Sequence, residues 1–140
     1  MDSSYQLRIA RPAGDLTRSE AMYREGLGLE VVGRFEDHEG FDGVMLAHRE
    51  AGYHFEFTRH RKHPITPTPT VEDLVVFYVP QFTTWQRMCE SMQAAGFTRS
   101  VSFSPYWNLR GHTFEDRDGY RVVLWHGAWP EHTPAAADVR

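Results

Sequence analysis

The first half of the chain alternates between apolar and polar residues in a way that predicts one helix among four strands. Residues 7–10 alternate and end shortly before Pro12, which is typical of a half-buried strand. Asp15 can cap a helix that continues to about Leu27, where Gly28 interrupts it. The predicted order is β-α-β-β-β, with the last three strands at residues 29–32, 43–47 and 53–58.

A proline-rich segment, residues 64–70, divides the chain near its midpoint. Its prolines exclude a helix or a central strand there, so we expect a stiff, extended linker. The chain is then one domain made of two modules, followed by a small, polar tail that we expect to be flexible. The expected boundaries are residues 1–63 for the first module, 71–127 for the second module and 128–140 for the tail.

The pattern of the first half is repeated after the linker. Residues 74–79 form an apolar run that Pro80 ends. Thr83 and Gln86 have the spacing of a capping box at the start of a helix, and Gly96 is placed where that helix would end. Three further strands are predicted at residues 100–104, 112–115 and 120–125.

Pairs of glycine and proline residues separated by 68 positions support an internal repeat. These residues end or bend helices and strands, and their common offset agrees with the repeated order of the elements. We therefore predict that the two modules share one fold. The pairs are Pro12 and Pro80, Gly28 and Gly96, and Gly43 and Gly111.

The composition is that of one globular domain with a small negative charge. The 140 residues are 41% hydrophobic and 24% charged, and the net charge of −4 argues against nonspecific nucleic-acid binding. No apolar run is long enough to span a membrane, and the first residues lack the features of a secretory signal. We therefore expect a cytoplasmic protein without a membrane or nucleic-acid partner. A single cysteine, Cys89, excludes an internal disulfide.

Two motifs resemble those of a known superfamily. Residues 15–29, D-L-T-R-S-E-A-M-Y-R-E-G-L-G-L, are similar to its opening D-L-x-x-S-x-x-F-Y-x-x-x-L-G-L pattern. Residues 114–120 are similar to its F-x-D-P-D-G-Y turn, with Arg117 in place of the proline. Together with the paired β-α-β-β-β order, they resemble the vicinal oxygen chelate superfamily. Its members include glyoxalase I, bleomycin- and fosfomycin-resistance proteins and extradiol dioxygenases.

The resemblance implies an α+β fold in which two βαβββ modules form an incompletely closed, eight-stranded mixed β-barrel, the glyoxalase/bleomycin-resistance fold. It also implies helices on the outside, a ligand-binding cup on the inside and a homodimer. Within that fold, strand alternation places His54 and Glu56 in the cup and Phe55 and Phe57 under the helices. In the last strand the residues expected to face the cup are Arg121, Val123 and Trp125.

Superfamily members that bind a metal use one side chain from each of the first, fourth, fifth and eighth strands. Glu56 matches the fourth-strand position, and the first-strand position falls on Gln6 or Arg8, of which only Gln6 can ligate. The other two positions fall on apolar residues, Leu74 and Val123. We therefore expect a degenerate metal site and no cofactor. The alternative is a divalent ion such as Zn²⁺, Ni²⁺, Mn²⁺ or Fe²⁺ with the non-standard ligands Gln6, His54 and Glu56.

Polar and aromatic side chains of the expected cup are the candidate functional residues. Arg8 and Glu56 either form a structural ion pair or serve a ligand, in which case Glu56 accepts a hydrogen bond or acts as a base and Arg8 or Arg121 holds an anionic group. Trp107, on a loop, is poorly explained by packing and is expected to contact a ligand. His112 is a further candidate if it points inward from the seventh strand. The candidate ligand-binding residues are Arg8, His54, Glu56, Tyr78, Trp107, His112, Arg121 and Trp125.

These features favour a protein that binds a small molecule in an aromatic cup. Two alternatives involve catalysis. One is a metal-dependent lyase or dioxygenase with non-standard ligands, and the other is a metal-free enzyme that uses Glu56 as a general base. Whether the chain is an enzyme stays open at this point.

Overall fold

Eight strands, two α-helices and one short 3₁₀ helix form the part of the chain that the structure, a computed structural model, describes, residues 4–129. The elements of the first module are β1 (Leu7–Pro12), α1 (Leu16–Leu27), β2 (Glu30–His38), β3 (Phe41–Ala47) and β4 (Tyr53–His60). Those of the second module are β5 (Leu74–Val79), α2 (Phe82–Ala94), β6 (Thr98–Ser100), the 3₁₀ helix (Pro105–Asn108), β7 (Gly111–Glu115) and β8 (Arg121–His126).

The strands form two separate four-stranded mixed sheets. The first has the order β1-β4-β3-β2 and the second the order β5-β8-β7-β6. In each sheet the first strand of the module pairs in parallel with its last strand, and the remaining pairs are antiparallel. The predicted fold, two βαβββ modules with sheets that do not close, is therefore confirmed.

One apolar core joins both modules, because each sheet buries one face against the helices. Phe55 and Phe57 of β4 are almost fully buried, and the fully buried Tyr23 of α1 lies 4.8 Å from Phe57, between ring centroids. Phe97 of the second module lies 5.3 Å from the same Tyr23 ring. The predicted direction of Phe55 and Phe57 is thus confirmed, and the opposite surface of each sheet is called here its helix-distal face.

The ends of the two helices follow local chemistry to different degrees. Asp15 caps α1 by accepting a hydrogen bond from the Arg18 N–H at 3.1 Å, and Gly28 ends the helix with a left-handed φ of 71°. Helix α2 begins earlier than the capping-box motif predicts. Its N-cap is Gln81, which makes no side-chain cap, and Thr83 already lies in the first turn. The capping-box prediction is therefore wrong, because the chain turns into the helix directly after Pro80.

The strand predicted at residues 100–104 is also wrong. Strand β6 ends at Ser100, and the Ser102 N–H donates to the Asn108 side-chain oxygen at 3.2 Å instead of to a neighbouring strand. Val101 and Phe103 are 79% and 68% exposed, so the apolar residues of this segment do not face a core. The strand predicted at 120–125 is confirmed with a shift of one residue.

The strand registers show that the 68-residue offset is not uniform. Pro12 lies in one cross-strand row with Thr58 and Gly43, whereas Gly111 shares its row with Trp125 and Tyr78. If Gly43 corresponds to Gly111, then Pro12 corresponds to Tyr78 and not to Pro80. The register that aligns Gly43 with Gly111 therefore places Pro80 two residues beyond the position that corresponds to Pro12. Gly28 and Gly96, by contrast, both have left-handed φ values at a helix end.

Residues 61–73, which contain the proline-rich segment, form no helix or strand. Most of the expected tail, residues 130–140, lies outside the described residues. In the range 4–129 the structure contains no helix with the length and apolar character needed to cross a membrane.

Candidate functional site

A guanidinium group bridges two polar side chains on the helix-distal face of the first sheet. Arg8 pairs with His54 and Ala10 with Glu56 in the parallel register of β1 and β4, so Arg8, His54 and Glu56 share this face. Arg8 Nε donates to His54 Nε2 at 2.8 Å, and an Arg8 terminal nitrogen donates to a Glu56 carboxylate oxygen at 3.2 Å. The Arg8 side chain is 49% exposed and that of Glu56 is 12% exposed. These three residues are called the Arg8 cluster.

The geometry of the Arg8 cluster defines what its members can do. Because His54 Nε2 accepts a hydrogen bond, a neutral His54 ring carries its proton on Nδ1. A His54 nitrogen and a Glu56 oxygen that could bind a metal are therefore directed at a permanent cation. Gln6, the third ligand of the alternative, precedes β1 and is exposed. Within residues 4–129, no three His, Cys, Asp or Glu side chains converge on a point suitable for a metal ion.

The second sheet has apolar residues at the positions that the resemblance assigns to metal ligands. Leu74 pairs with Arg121, and Val123 pairs with Val76 and Thr113, so Leu74 and Val123 share the helix-distal face of the second sheet. Val123 is completely buried. These hydrocarbon side chains offer no electron pair to a cation.

The 3₁₀ helix covers part of the helix-distal face of the second sheet. The Tyr106 ring is stacked on Trp125 at 5.0 Å between centroids, and Trp107 meets Trp125 edge-on at 5.7 Å. Trp125 is only 4% exposed in consequence. Trp125 faces the side expected from the sequence, but Tyr106 and Trp107 cover it, so it is packed rather than open to a ligand.

Small and polar residues hold the 3₁₀ helix against the sheet. A Cβ atom at Gly111 would collide with the Trp107 carbonyl oxygen, so the backbone can approach this closely only at glycine. The buried Ser102 hydroxyl is hydrogen-bonded to the Thr113 hydroxyl. The Asn108 side chain accepts from the Ser102 N–H and donates to its carbonyl oxygen at 3.5 Å. This arrangement fixes the position of Trp107.

Trp107 also forms one wall of a cavity of about 260 Å³ between β5, the residues directly before it and the 3₁₀ helix. We call it the Trp107 cavity, and its lining residues are Val71, Glu72, Leu74, Val76, Ser104 and Trp107. Tyr78, a further candidate, follows on the same face of β5 and has its ring 6.5 Å from that of Trp129. The sequence predicted Trp107 as a ligand contact, whereas Val71 and Glu72 were assigned to the start of the second module without a functional role. The signal that could have revealed them is their position directly before an apolar strand.

His112 does not point toward the helix-distal face. It pairs with Leu124 in the register of β7 and β8, and its ring lies 4.6 Å from the Trp85 ring of α2. Burial, assisted by the nearby positive charge of Arg99, lowers the pKa of His112, and its buried Nδ1 has no hydrogen-bond partner among the described residues. The expectation that His112 points inward is therefore wrong, because the register of β7 directs it to the helix side.

Arg121 lies on the expected face but is held by internal contacts. Its Nε donates to the Glu115 carboxylate at 3.0 Å, and a terminal nitrogen donates to the Val101 carbonyl oxygen at 3.4 Å. Only 12% of its side chain is exposed. Arg121 therefore has a different role from the Arg8 cluster. It attaches the segment after β6 to the second sheet.

Comparison with known proteins gives consistent matches over most of the chain. Residues 7–58 match the model of the YycE-like N-terminal domain, and residues 72–126 match that of the YycE-like C-terminal domain. The uncharacterized protein YycE of Bacillus subtilis is 41% identical over 119 residues, which cover 85% of this chain and 86% of that protein.

Solved structures extend the similarity to more distant proteins. A crystal structure of a Bacillus subtilis YycE protein, described as of unknown function and as a candidate glyoxalase/fosfomycin resistance protein, has a TM-score of 0.82 and 36% identity, covering 95% of this chain and 93% of that one. Leishmania major glyoxalase I has a TM-score of 0.66 at 18% identity, covering 86% and 85%. TnmS3, an antibiotic-binding protein from Streptomyces sp. CB03234, has a TM-score of 0.62 at 16% identity, covering 91% and 99%. The last two show a common fold.

Proposed function

Since the chain belongs to the YycE-like family of the vicinal oxygen chelate superfamily, we propose that it binds a small organic molecule on the helix-distal faces of its sheets, without a chelated metal. The aromatic residues beside the Trp107 cavity and the Arg8 cluster provide the contacts. The ligand site is thus a degenerate form of the site that chelating members of the superfamily use.

The position of Arg8 between His54 and Glu56 is the observation that carries this proposal. A divalent ion held by His54 and Glu56 would have to displace a guanidinium group of the same charge sign, at a Coulombic cost. Two of the five guanidinium N–H groups make the described hydrogen bonds, and half of the side chain is exposed. The remaining N–H groups are suited to a carbonyl or acidic oxygen of a ligand.

Structural neighbours support both a binding and a catalytic use of this fold, since one is an antibiotic-binding protein and another is a glyoxalase I. The residues present in this chain favour binding. Glu56, the candidate general base, is largely buried and already accepts a hydrogen bond from Arg8. Catalysis by Glu56 would first require that ion pair to open.

The metal part of the proposal is tested on protein purified without a histidine tag. Metal content is measured first, and calorimetric titrations with Ni²⁺, Zn²⁺, Mn²⁺ and Fe²⁺ follow. We expect no stoichiometric metal and no tight binding. Stoichiometric metal that disappears in Glu56→Ala would overturn the proposal in favour of the metal-dependent alternative.

The ligand part is tested by thermal unfolding in the presence of small aromatic carboxylic acids, phenylphosphonate, bleomycin and fosfomycin. We expect at least one compound to stabilise the wild-type protein and to lose this effect in Arg8→Met. Equal stabilisation of both proteins would contradict a role for Arg8. Turnover of a bound compound that is lost in Glu56→Gln, with binding retained, would favour the metal-free enzyme.

We further propose that two copies of the chain associate, because large apolar side chains are exposed on the first sheet and on the segment between β6 and β7. These side chains are Val32 (55% exposed), Phe41 (41%), Val101 (79%), Phe103 (68%) and Leu109 (73%). Light scattering should give the mass of a dimer for the wild-type protein and a smaller mass for Phe103→Ser. A monomeric wild-type protein would contradict the association. The cytoplasmic location stays a prediction from the sequence.

A further inference from the structure

One of the residues that line the Trp107 cavity is charged, and its charge is negative. Three of the lining residues are aliphatic, one is an indole and one is a hydroxyl, so the carboxylate of Glu72 is the one ionic group of the lining. Within the described residues, no basic side chain forms an ion pair with Glu72. The backbone at this point is fixed, because the Glu72 N–H donates to the Thr70 hydroxyl at 3.2 Å.

The neighbouring cation does not neutralise this carboxylate. Arg121 pairs with Leu74 across the strands and is the basic residue next to the cavity on the second sheet. Its guanidinium group is bound to Glu115 and to the Val101 carbonyl oxygen. The charge of Arg121 is therefore balanced by Glu115 and not by Glu72.

We propose that the Trp107 cavity binds a small organic ammonium ion with an apolar body. A positive charge between Glu72 and the Trp107 indole gains both ionic and cation–π attraction. Leu74 and Val76 then cover the apolar part of the ligand. This inference rests on the proposed function, since it specifies the ligand class of one part of the same helix-distal surface.

The size and charge of the cavity restrict the ligand further. Its volume of about 260 Å³ is below the roughly 300–1,000 Å³ of sites for drug-sized molecules, so one ring or a short chain fits. An anionic compound would bring a second negative charge next to Glu72. We therefore expect the two parts of the surface to bind groups of opposite charge. Anionic groups bind at Arg8 and cationic groups bind at Glu72.

The test compares two probes of nearly the same shape, choline and 3,3-dimethylbutan-1-ol, by calorimetry and by the indole N–H signals in NMR spectra of the full chain. Choline should bind about tenfold more tightly than the neutral alcohol, because only choline has the charge that Glu72 and Trp107 attract. Equal affinities for the two probes, or no choline binding, would overturn the inference.

Two variants test the residues responsible, and a third is the control. Glu72→Gln should weaken choline binding about threefold and leave the alcohol unaffected, as expected for a partly exposed ion pair. Trp107→Leu should weaken it about tenfold. Glu50→Gln removes a carboxylate from an exposed turn and is the matched control, with no change expected. If Trp107→Leu does not fold, Glu72→Gln decides the result.

The outcome separates this inference from the proposed function. Arg8-dependent binding of an acid without any choline binding would overturn the inference alone. Choline binding that depends on Glu72, in a protein that binds stoichiometric metal through Glu56, would support the inference and overturn the metal-free part of the proposed function. An effect of Glu72→Gln no larger than that of Glu50→Gln would also overturn the inference.

Discussion

The Tyr23 hydroxyl donates a hydrogen bond to the Asp116 carboxylate at 2.8 Å, in a buried contact between helix α1 of the first module and the turn before β8 of the second. Asp116 also accepts hydrogen bonds from the N–H groups of Asp118 and Tyr120. The Tyr120 hydroxyl in turn donates to the Pro12 carbonyl oxygen at 2.9 Å. The turn that resembles the superfamily motif thus connects the two modules.

Loss of the Tyr23 hydroxyl should lower the free energy of unfolding at neutral pH, and the loss should be smaller at alkaline pH. Tyr23→Phe should lower the free energy of unfolding by about 1–3 kcal/mol, because Asp116 stays buried with one donor fewer. Burial, and then the charge of Asp116, raise the pKa of Tyr23 well above its usual value. The wild type therefore loses stability as pH rises above about 10, where Tyr23 of the unfolded chain ionises.

Urea unfolding of both proteins between neutral pH and pH values above that point measures this effect. The difference between wild type and Tyr23→Phe should become smaller as pH rises. A difference that stays constant or increases would contradict a raised pKa of Tyr23 in the folded state.

Gly111→Ala should destabilise the second module, because the new methyl group would collide with the Trp107 carbonyl oxygen. The expected loss in the free energy of unfolding is about 1–3 kcal/mol, as for overpacking in a tight contact. Near-ultraviolet circular dichroism should also change, since the 3₁₀ helix carries Tyr106 onto Trp125. Gly52→Ala is the control: a Cβ there has no neighbour within 4 Å, and its unfolding should be unchanged.

Arg8→His should create a metal site, or strengthen metal binding, at the Arg8 cluster. The substitution removes a positive charge and places an imidazole next to His54 and Glu56, which gives three donors on one face. Calorimetry should show Zn²⁺ or Ni²⁺ binding at least about tenfold tighter than for the wild type. Arg8→Met removes the charge without adding a donor and should bind less tightly than Arg8→His. Equally tight binding by the wild type would refute the role given to Arg8.

The stability of the protein should fall in mild acid, in part because of His112. Burial against Trp85 lowers the pKa of His112, so the folded state favours the neutral ring. Stability is therefore lost as pH falls below about 6.5, where His112 of the unfolded chain takes up a proton. His112→Phe should remove this part of the pH dependence.

The measurement compares wild type and His112→Phe between pH 7.5 and pH 5 by urea unfolding. Asp116 acts in the opposite direction, because burial raises its pKa, but it is present in both proteins and cancels in the comparison. Parallel pH profiles for the two proteins would show that His112 does not contribute.

Local sequence determined the elements and most of the strand faces of this protein. The alternation at residues 53–58 placed Phe55 and Phe57 toward the helices because successive side chains of a strand point to opposite sides. Asp15 and Gly28 marked the ends of α1 because their side-chain and backbone chemistry suits those positions. The two motifs and the repeated order of elements were enough to identify the fold.

Tertiary structure decided what the candidate residues contact. The sequence suggested Arg8 with Glu56, but only the parallel register of β1 and β4 adds His54 to the bridge. His112 points to the helix side because the register of β7 with β8, and not the residue types in β7, sets the direction of each side chain. The Trp107 cavity lies between β5, with the two residues before it, and a 3₁₀ helix some thirty residues later in the sequence, and the distance between such segments follows from packing.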